Sequence, residues 1–416
     1  MDHHESPPVM ATIPSKPGTR HALLAGFLGW TLDAFDFFVI VFLYDTLARE
    51  FSVSKKAIVL TTAATLALRP VGALLFGLLA DRYGRRIPLM ANVIYFSVIE
   101  LLCGFAPNYT VFFILRALFG IGMGGEWGVG ASLAMEAAPP RWRGMLSGIL
   151  QGGYPMGYLL ASVAARFVLP ALGWRWMFWL GALPALLALY IRTKVPESEA
   201  WAQHRAGSMT EVLRVVASHW KRFGYLVVLM TFMMFLSHGT QDLYPDFLKE
   251  VHKLNQSQVA NIAILYNCGA IIGALMFGTF SQKAGRRMGM LAALGLCLLV
   301  IPLWAFGDGL LAIVLAPVLL QMGVQGAWGV IPVHLNELSV DAARGLMPGL
   351  TYQLGILFAS PTNSIQYSLR EKFGYSWALA GFETVAILSL GLLLWSGAEA
   401  HGKSFVREID AKIAST

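Results

Sequence analysis

Residues 77–86 read GLLADRYGRR, and residues 278–287 read GTFSQKAGRR. A shift of 201 positions superimposes the two stretches and aligns other unlike residues without a gap: Gly122 with Gly323, Trp127 with Trp328, Glu136 with Glu337, Arg143 with Arg344, and Gly144 with Gly345. Chance does not maintain one offset over so many positions. The sequence therefore predicts an internal duplication, with two halves of similar structure.

The composition indicates that this chain is solvated by lipid. Of its 416 residues, 56% are hydrophobic and only 13% are charged, which is too few charges to cover a water-soluble globule of this size. The 42 glycines fit membrane helices, where small residues allow backbones to approach closely. The net charge of +7 is scattered over short loops and forms no basic stripe, so we do not expect a nucleic-acid partner.

Apolar stretches long enough to cross roughly 30 Å of hydrocarbon recur along the chain. They lie near residues 22–47, 57–80, 88–105, 110–134, 145–168, 174–191, 224–248, 258–280, 288–306, 309–335, 346–369 and 375–396. The sequence thus predicts an all-α membrane protein with twelve transmembrane helices. Its parts are an N-terminal tail (1–21), a six-helix bundle (22–191), a linker (192–222), a second six-helix bundle (223–396) and a C-terminal tail (397–416).

The basic residues predict the orientation of these helices. Most of the 31 Lys and Arg residues fall in the two tails and the even-numbered junctions, which places both termini and the linker in the cytoplasm. The first twenty residues lack the apolar core of a signal peptide, so we expect helix one to be retained, as in a bacterial inner-membrane protein. Cys103, Cys268 and Cys297 lie inside apolar runs without metal-ligand spacing; we expect buried thiols, no metal and no cofactor.

Ionisable residues inside membrane helices are functional candidates because they are costly to bury there. Asp33 and Asp36 lie three apart in helix one, and His238 and Asp242 lie four apart in helix seven, so each pair shares a helix face. The duplication aligns Asp36 with Ser237. We therefore expect the helix-one acids and His238 to face each other across a central cavity and to exchange protons, a role that suits histidine.

Helix four supplies two further candidates. Glu126 is a third intramembrane acid for proton coupling, and Arg116 is our candidate for binding a substrate anion, because guanidinium offers a carboxylate a planar pair of donors. The alternative for Arg116 is a structural ion pair with a helix carboxylate. Arg69 and Arg166 also lie within predicted helices, but we assign them no role.

Two motifs make the chain resemble the major facilitator superfamily. GLLADRYGRR is similar to the signature loop of that superfamily, and RALFGIGMGGEWG from Arg116 is similar to its helix-four motif. The resemblance implies two halves that rock about a central site, with a cytoplasmic gate formed by Asp81, Arg82, Arg85 and Arg86. The alternative is that these arginines only anchor the loop. Gln282 replaces Asp81 in the second copy, so we expect a weaker latch there.

Helix seven narrows the resemblance. SHGTQDLYP at 237–245 resembles the helix-seven motif of the sialate and lactate proton symporters, and GGEWGVG (124–130) and YQLG (352–355) resemble their lactate and pyruvate permeases. The resemblance implies that His238 and Asp242 handle substrate and protons, and that Arg116 and Gln353 face the substrate.

Other residues bear on the substrate pocket. Met234, Asp246 and Ile356 stand where that motif has Asn, Thr and a polar residue, which leaves the substrate's identity open. Tyr154 and Tyr352 are further candidates for substrate contact. Pro155, Tyr158 and Asn363 could help to shape the pocket.

These features predict a proton-coupled symporter of a small monocarboxylate of the lactate and pyruvate class, functional as a monomer in a lipid bilayer. A carrier of sialate or a dicarboxylate is the alternative within transport, and a non-transporting membrane sensor is the alternative from another class. We do not expect an enzyme or an ATP-driven pump, because the sequence has no nucleophile with a base, no metal cluster and no phosphate loop.

Overall fold

A computed structural model describes residues 18–406, and all regular structure in that range is helical. The predicted tail residues 1–17 and 407–416 lie outside it. The first half comprises α1 (Thr19–Glu50), α2 (Lys55–Tyr83), α3 (Arg86–Cys103), α4 (Tyr109–Ala137), α5 (Arg143–Gln151), α6 (Gly153–Leu172), α7 (Trp174–Leu180) and α8 (Pro184–Lys194). The linker carries α9 (Glu199–His204) and α10 (Met209–Ser218). The second half comprises α11 (Trp220–Gln241), α12 (Tyr244–Glu250), α13 (Gln256–Ala284), α14 (Arg286–Phe306), α15 (Leu310–Leu338), α16 (Met347–Ala359), α17 (Thr362–Phe373) and α18 (Tyr375–Ser396).

Eleven helical segments within the described residues are long and apolar enough to cross a membrane. The stretch predicted as a crossing at 346–369 is not among these eleven; it is built of two helices, α16 and α17, with a break at Ser360 and Pro361. Proline has no backbone N–H and so cannot continue the hydrogen-bond ladder of α16. The segment after the break, TNSIQYSLREKF, is also polar, which distinguishes it from the other crossings.

Large apolar side chains face outward from the bundle. Leu299 and Leu310 are 81% and 80% exposed, and Trp395 is 70% exposed, although each belongs to a long apolar helix. A soluble protein does not present so much apolar surface, so these side chains contact lipid. One of the three cysteines also faces outward: Cys103 and Cys297 are buried, but Cys268 is exposed on α13, which corrects the prediction for that thiol.

Glycines bring equivalent helices into backbone contact in both halves. A Cβ on Gly72 of α2 would overlap the carbonyl oxygen of Ile121 in α4. In the second half Gly273 of α13 stands in the same relation to the carbonyl oxygen of Met322 in α15, again 201 positions later. Such close helix packing by small residues is typical of membrane bundles. The duplication seen in the sequence therefore extends to individual atomic contacts.

The two halves meet at one end of the bundle, which we call the sealed end and which carries the turns at Gly84 and Gly285. Both glycines have positive φ, +102° and +94°, a conformation that other residues rarely adopt. Near this end α2 and α4 pack against α16, and α5 packs against α13 and α15. A Cβ on Gly128 would lie only 2.5 Å from the Cα of Gly349.

Candidate functional site

A cavity of about 400 Å³ lies between the halves and stops at the sealed end. The first half lines it with Phe37, Phe38, Leu66, Arg69, Gln151, Tyr154, Pro155 and Tyr158. The second half lines it with Met234, Ser237, His238, Gln241, Asp242, Ala263, Tyr266, Asn267, Ala270, Gln325, Trp328, Tyr352 and Ile356. The side chains of His238 and Asp242 are 46% and 32% exposed, so both are accessible to water-sized molecules within the cavity.

Arg69 is the cation in the cavity wall. Its residue is only 4% exposed, and its Nε and Nη2 atoms have no hydrogen-bond partner among the described residues. Helix α4 holds α2 in place at this point, because a Cβ on Gly124 would overlap the carbonyl oxygen of Arg69. A buried guanidinium with free donors is suited to bind a carboxylate in a planar, bidentate manner.

An aromatic cluster surrounds Tyr352 beneath Arg69. The guanidinium carbon of Arg69 lies 5.9 Å from the centre of the Tyr352 ring. Trp127 stacks on that ring at 4.4 Å between centroids, and its duplicate Trp328 packs edge-on at 5.8 Å. Trp30 approaches from a third side at 6.2 Å. The cluster fixes the position of Tyr352 and gives the bottom of the cavity a rigid, largely apolar surface.

His238 and Asp242 lie side by side on the opposite wall, as their spacing predicts. The Nδ1 atom of His238 lies 3.2 Å from Oδ2 of Asp242, one helical turn away. Helix α11 ends at the residue before Asp242, so this carboxylate occupies the point where the seventh crossing bends into α12. The pair can share a proton, because histidine and carboxylate are linked by a direct hydrogen bond.

The helix-one acids are not on the cavity wall, contrary to the prediction. Asp33 and Asp36 are fully buried in the first half, and their carboxylate oxygens have no hydrogen-bond partner in the described part of the chain. Phe37 and Phe38 occupy the cavity face of α1 instead, because helical geometry turns positions 33 and 36 toward α3 and α4. Glu126 is equally buried and unpartnered, with its carboxylate against Gly29 of α1.

Arg116 and Gln353 also lie away from the cavity wall. The Nη1 atom of Arg116 donates to Oε2 of Glu100 at 2.9 Å, both side chains are fully buried, and the guanidinium stacks on Phe119 at 4.4 Å. This is the structural ion pair that the sequence left open as the alternative. Gln353 is 1% exposed and its amide has no partner among residues 18–406. Direct substrate contact by either residue thus finds no support in this arrangement.

The remaining pocket candidates divide between the cavity and the surface. Tyr154, Pro155 and Tyr158 line the cavity, where Tyr154 stacks on Trp30 at 5.2 Å between centroids. Met234 and Ile356, the two apolar departures from the resembled motif, also lie in the wall. Asn363 is exposed on α17 and not part of it.

Two equivalent latches join the halves at the sealed end. Oδ1 of Asp81 accepts a hydrogen bond from the backbone nitrogen of Gly345 at 2.7 Å, and Oδ2 accepts one from Leu346 at 2.9 Å. In the second copy Oε1 of Gln282 accepts from the backbone nitrogen of Gly144 at 2.9 Å. The neutral glutamine therefore keeps the latch geometry with one acceptor bond in place of two.

Buried ion pairs hold each latch in position. Arg85 donates to Oδ1 of Asp81 at 2.6 Å and to both oxygens of Glu136, at 3.2 and 3.0 Å. Arg286 pairs in the same bidentate manner with Glu337, at 2.9 and 3.0 Å, which is the duplicated contact. Arg344 of the second half donates to Glu136 at 3.4 Å and so links the two halves through charge.

The other two arginines of the predicted gate contact the linker rather than the opposite half. Nη1 of Arg82 lies 3.5 Å from the carbonyl oxygen of Ala206. The backbone nitrogen of Arg86 donates to Oε2 of Glu197 at 3.2 Å, and its Nη2 donates to the carbonyl oxygen of Arg192. The gate contact between the halves therefore involves Asp81 and Arg85, whereas Arg82 and Arg86 fasten the linker.

The first part of the predicted C-terminal tail packs across the sealed end. Phe405 is 2% exposed and lies between two guanidinium groups, 3.7 Å from that of Arg143 and 4.1 Å from that of Arg344. Nζ of Lys403 donates to Oδ1 of Asp341 at 2.8 Å. Burial opposes ionisation of Asp341, but this hydrogen bond and the charge of Arg344 hold its pKa below the usual range.

Sequence reasoning missed Arg69, the cation of the cavity. It had the same signal as Arg116, an arginine inside an apolar helix, but the motif around Arg116 favoured Arg116 instead. Only the packing of α3 against α4 shows that Arg116 has an ion-pair partner, Glu100, whereas Nε and Nη2 of Arg69 on α2 have none.

Two duplicated helical halves around a cavity that is sealed at one end are the architecture of a class of secondary transporters. The chain belongs to the Major Facilitator Superfamily, whose family model matches residues 26–360. It is similar to a Carboxylic acid transporter protein homolog of Saccharomyces cerevisiae, 30% identical over 84% of this chain and 61% of the yeast protein, so it spans less than two thirds of that relative.

Further similarities support the same class. The chain is 28% identical to the Sialic acid transporter NanX of Escherichia coli, covering 94% of this chain and 96% of that one. Its fold is similar to that of the proton:xylose symporter XylE, with a TM-score of 0.74 at 20% identity over 93% of this chain and 98% of the other. The protein is thus a multi-pass membrane transporter of this superfamily.

Proposed function

We propose that this protein is a proton-coupled symporter of a small monocarboxylate. The observation that carries the proposal is the guanidinium of Arg69, buried in the cavity wall with free Nε and Nη2 donors and facing the His238–Asp242 pair. In this shared cavity the guanidinium of Arg69 binds one carboxylate, and the His238–Asp242 pair binds its proton.

The composition of the cavity wall favours a monocarboxylate over a dicarboxylate. Arg69 is the one arginine or lysine among the lining residues, so a second carboxylate would have no cation to bind, and Asp242 would repel it. The wall facing the substrate body includes Met234, Ile356 and several aromatic rings. Lactate and pyruvate remain the first candidates, and monocarboxylates with a longer apolar body should bind more tightly. Sialate, with its many hydroxyl groups, fits such a wall less well.

The buried acids of the first half supply a route for coupling. Asp33 lies close enough to Arg69 and to Arg116 for both charges to act on it. A substrate carboxylate that binds Arg69 takes up the charge that otherwise balances Asp33. Since one guanidinium cannot neutralise two carboxylates in an apolar setting, substrate binding favours a proton on Asp33. Asp36 and Glu126 lie in the same buried region and extend the coupling route beyond Asp33.

The sealed end is the cytoplasmic end in this proposal, as the distribution of Lys and Arg predicts. The cavity then opens to the outside of the cell membrane, and the protein is in its outward-open state. External substrate and protons enter, the latches at Asp81 and Gln282 release, and the halves rock to open the cavity to the cytoplasm. Because a proton enters with each monocarboxylate, an inward pH gradient drives uptake.

Uptake into liposomes containing the purified protein tests the proposal. Labelled lactate, pyruvate, a longer aliphatic or aromatic monocarboxylate, sialate and a dicarboxylate are compared, with the outside acidic and with no pH gradient. We expect accumulation of monocarboxylates that depends on the gradient. Accumulation of sialate or the dicarboxylate alone would contradict the assigned class. Binding of a monocarboxylate without any flux would favour the alternative function, a non-transporting membrane sensor.

A further inference from the structure

Glu383 is a buried acid that neither the sequence motifs nor the cavity accounts for. It lies in α18, is completely buried, and neither carboxylate oxygen has a hydrogen-bond partner among the described residues. Its Oε1 packs directly against Gly239 of α11, where a Cβ would overlap it. Gly239 follows His238 in the chain, so Glu383 contacts α11 beside a residue of the cavity wall.

The first half contains the same arrangement with the roles of the two helices exchanged. There the acid is on the first crossing and the glycine on the sixth: a Cβ on Gly181 would lie 2.6 Å from Oδ1 of Asp36. The duplication aligns Asp36 with Ser237, two residues before Gly239, and Gly181 with Phe382, next to Glu383. Each half therefore holds an unpartnered carboxyl against a glycine between its first and its sixth crossing, at corresponding depth.

The surroundings of Glu383 leave its charge unbalanced. It faces Gly239 on α11, whose carbonyl oxygen already accepts a hydrogen bond from Nε2 of Gln366 on α17 at 2.8 Å. On the α14 side is the thiol of Cys297, which donates to the carbonyl oxygen of Leu320. No salt bridge in the described part of the chain includes Glu383. An ionised carboxyl without a counterion or hydrogen bond costs several kcal/mol to bury, so Glu383 holds a proton in this arrangement.

The contact between Glu383 on α18 and Gly239 on α11 also depends on the proton of Glu383. Loss of it would place a charge against the backbone of α11, and the α11–α18 packing would have to open so that water reaches the carboxylate. His238 lies next to Gly239 near the end of α11, with Asp242 directly after it, so both residues would move with the helix. Proton release from Glu383 is therefore mechanically linked to the substrate site.

We propose that Glu383 is a second proton-binding residue of the transport cycle, the counterpart in the second half of the acid at Asp36. This inference rests on the proposed proton symport and extends it to the number of protons moved. The residues of the first half and His238 handle one proton for each monocarboxylate, and Glu383 adds a second. Net uptake therefore carries positive charge.

The test is the proton-to-substrate ratio, measured in proteoliposomes from the membrane potential at which net flux of labelled substrate stops. The variants are Glu383→Gln, which keeps the shape and removes the titration, and Glu383→Asp, which keeps the titration. Glu371→Gln, at an exposed position on α17, is the matched control. Exchange of labelled for unlabelled substrate, which needs no net proton movement, reports folding of every variant.

We expect the Glu383→Gln variant to exchange substrate normally while its ratio falls by one proton and its uptake loses sensitivity to membrane potential. Glu383→Asp and Glu371→Gln should keep the wild-type ratio. An unchanged ratio in Glu383→Gln, or loss of exchange in that variant alone, would overturn the assignment and make Glu383 structural. A wild-type protein that moves its substrate without protons would instead refute the proposed symport as a whole.

Discussion

Oδ1 of Asp81 lies 2.7 Å from the backbone nitrogen of Gly345, and this hydrogen bond joins the two halves of the transporter across 264 residues of sequence. The bond is buried, and a second one from Leu346 accompanies it. Its duplicate, between Gln282 and Gly144, has a neutral acceptor. The state of the cavity therefore depends on two small contacts of unequal strength.

Removing the Asp81 latch should open the sealed end. Asp81→Ala leaves two buried backbone N–H groups unsatisfied and Arg85 without one of its partners, so we expect a shift of about 2–3 kcal/mol, roughly 30- to 150-fold, toward the state open at that end. Gln282→Ala loses two neutral hydrogen bonds, with the backbone of Gly144 and of Pro140, about 1–2 kcal/mol, and should shift the population less than Asp81→Ala does. Distances between spin labels across the sealed end measure both. Equal effects of the two variants would contradict this ranking.

A methyl group at Gly128 should prevent complete sealing. The Cβ of a Gly128→Ala variant would lie 2.5 Å from the Cα of Gly349, and backbone cannot move aside as a flexible side chain can. We expect the halves to stay apart at this end, with faster labelling of a cysteine placed beside the latch. Gly295→Ala is the control, because no atom lies within 4 Å of its Cβ. Identical labelling of the two variants would show that Gly128 is not a contact that limits closure.

Neutralising Arg69 should abolish substrate binding without unfolding the protein. Nε and Nη2 of Arg69 have no partner among the described residues and Arg69→Gln breaks no ion pair there, but a bound carboxylate loses charged hydrogen bonds of about 2–4 kcal/mol, a fall of roughly 30- to 1,000-fold in affinity. Arg69→Lys should recover part of this. Arg166→Gln, which removes an exposed arginine from α6, should bind normally. Calorimetric titration with the transported acid measures the affinities, and wild-type affinity in Arg69→Gln would exclude this residue as the anion site.

Arg116 should behave in the opposite way. Arg116→Gln leaves the carboxylate of Glu100 buried without its partner, which typically costs about 3–5 kcal/mol of stability. Thermal unfolding in detergent should show a clear loss, whereas substrate affinity of the folded fraction should stay within a few-fold of wild type. The double variant Arg116→Gln/Glu100→Gln should recover much of the stability. Loss of binding without loss of stability would restore Arg116 as a substrate ligand.

His238 and Asp242 should be required for coupling and dispensable for exchange. In His238→Gln or Asp242→Asn the direct hydrogen bond no longer joins two titratable groups, so a proton cannot be shared across the pair. We expect concentrative uptake driven by a pH gradient to disappear while exchange of bound substrate continues. His219→Gln, an exposed histidine ahead of α11, is the control. Gradient-driven uptake at the wild-type level in both variants would remove the pair from the coupling mechanism.

Much of the architecture could be predicted because it follows from patterns of neighbouring residues and from the internal duplication. Apolar runs of membrane length predict the crossings, and the offset of 201 residues predicts contacts such as Arg85 with Glu136 and Arg286 with Glu337 as equivalents. The sequence does not predict the break at Pro361, because α16 and α17 together span a stretch long enough for one crossing. The spacing of His238 and Asp242 predicted their contact because both lie on one helix.

The sequence by itself determined the class of protein, the duplication and the set of intramembrane ionisable residues, because composition, period and spacing are properties of a chain and need no partner helix. Only the tertiary structure decided which of those residues face the cavity. Arg69 and Arg116 are alike in sequence, but Arg116 forms an ion pair with Glu100, whereas Arg69 forms no salt bridge among the described residues. Rotation of α1 likewise places Phe37 in the cavity and Asp36 behind it. Burial and charge pairing depend on neighbours that are distant in the chain, so they arise only when the helices pack.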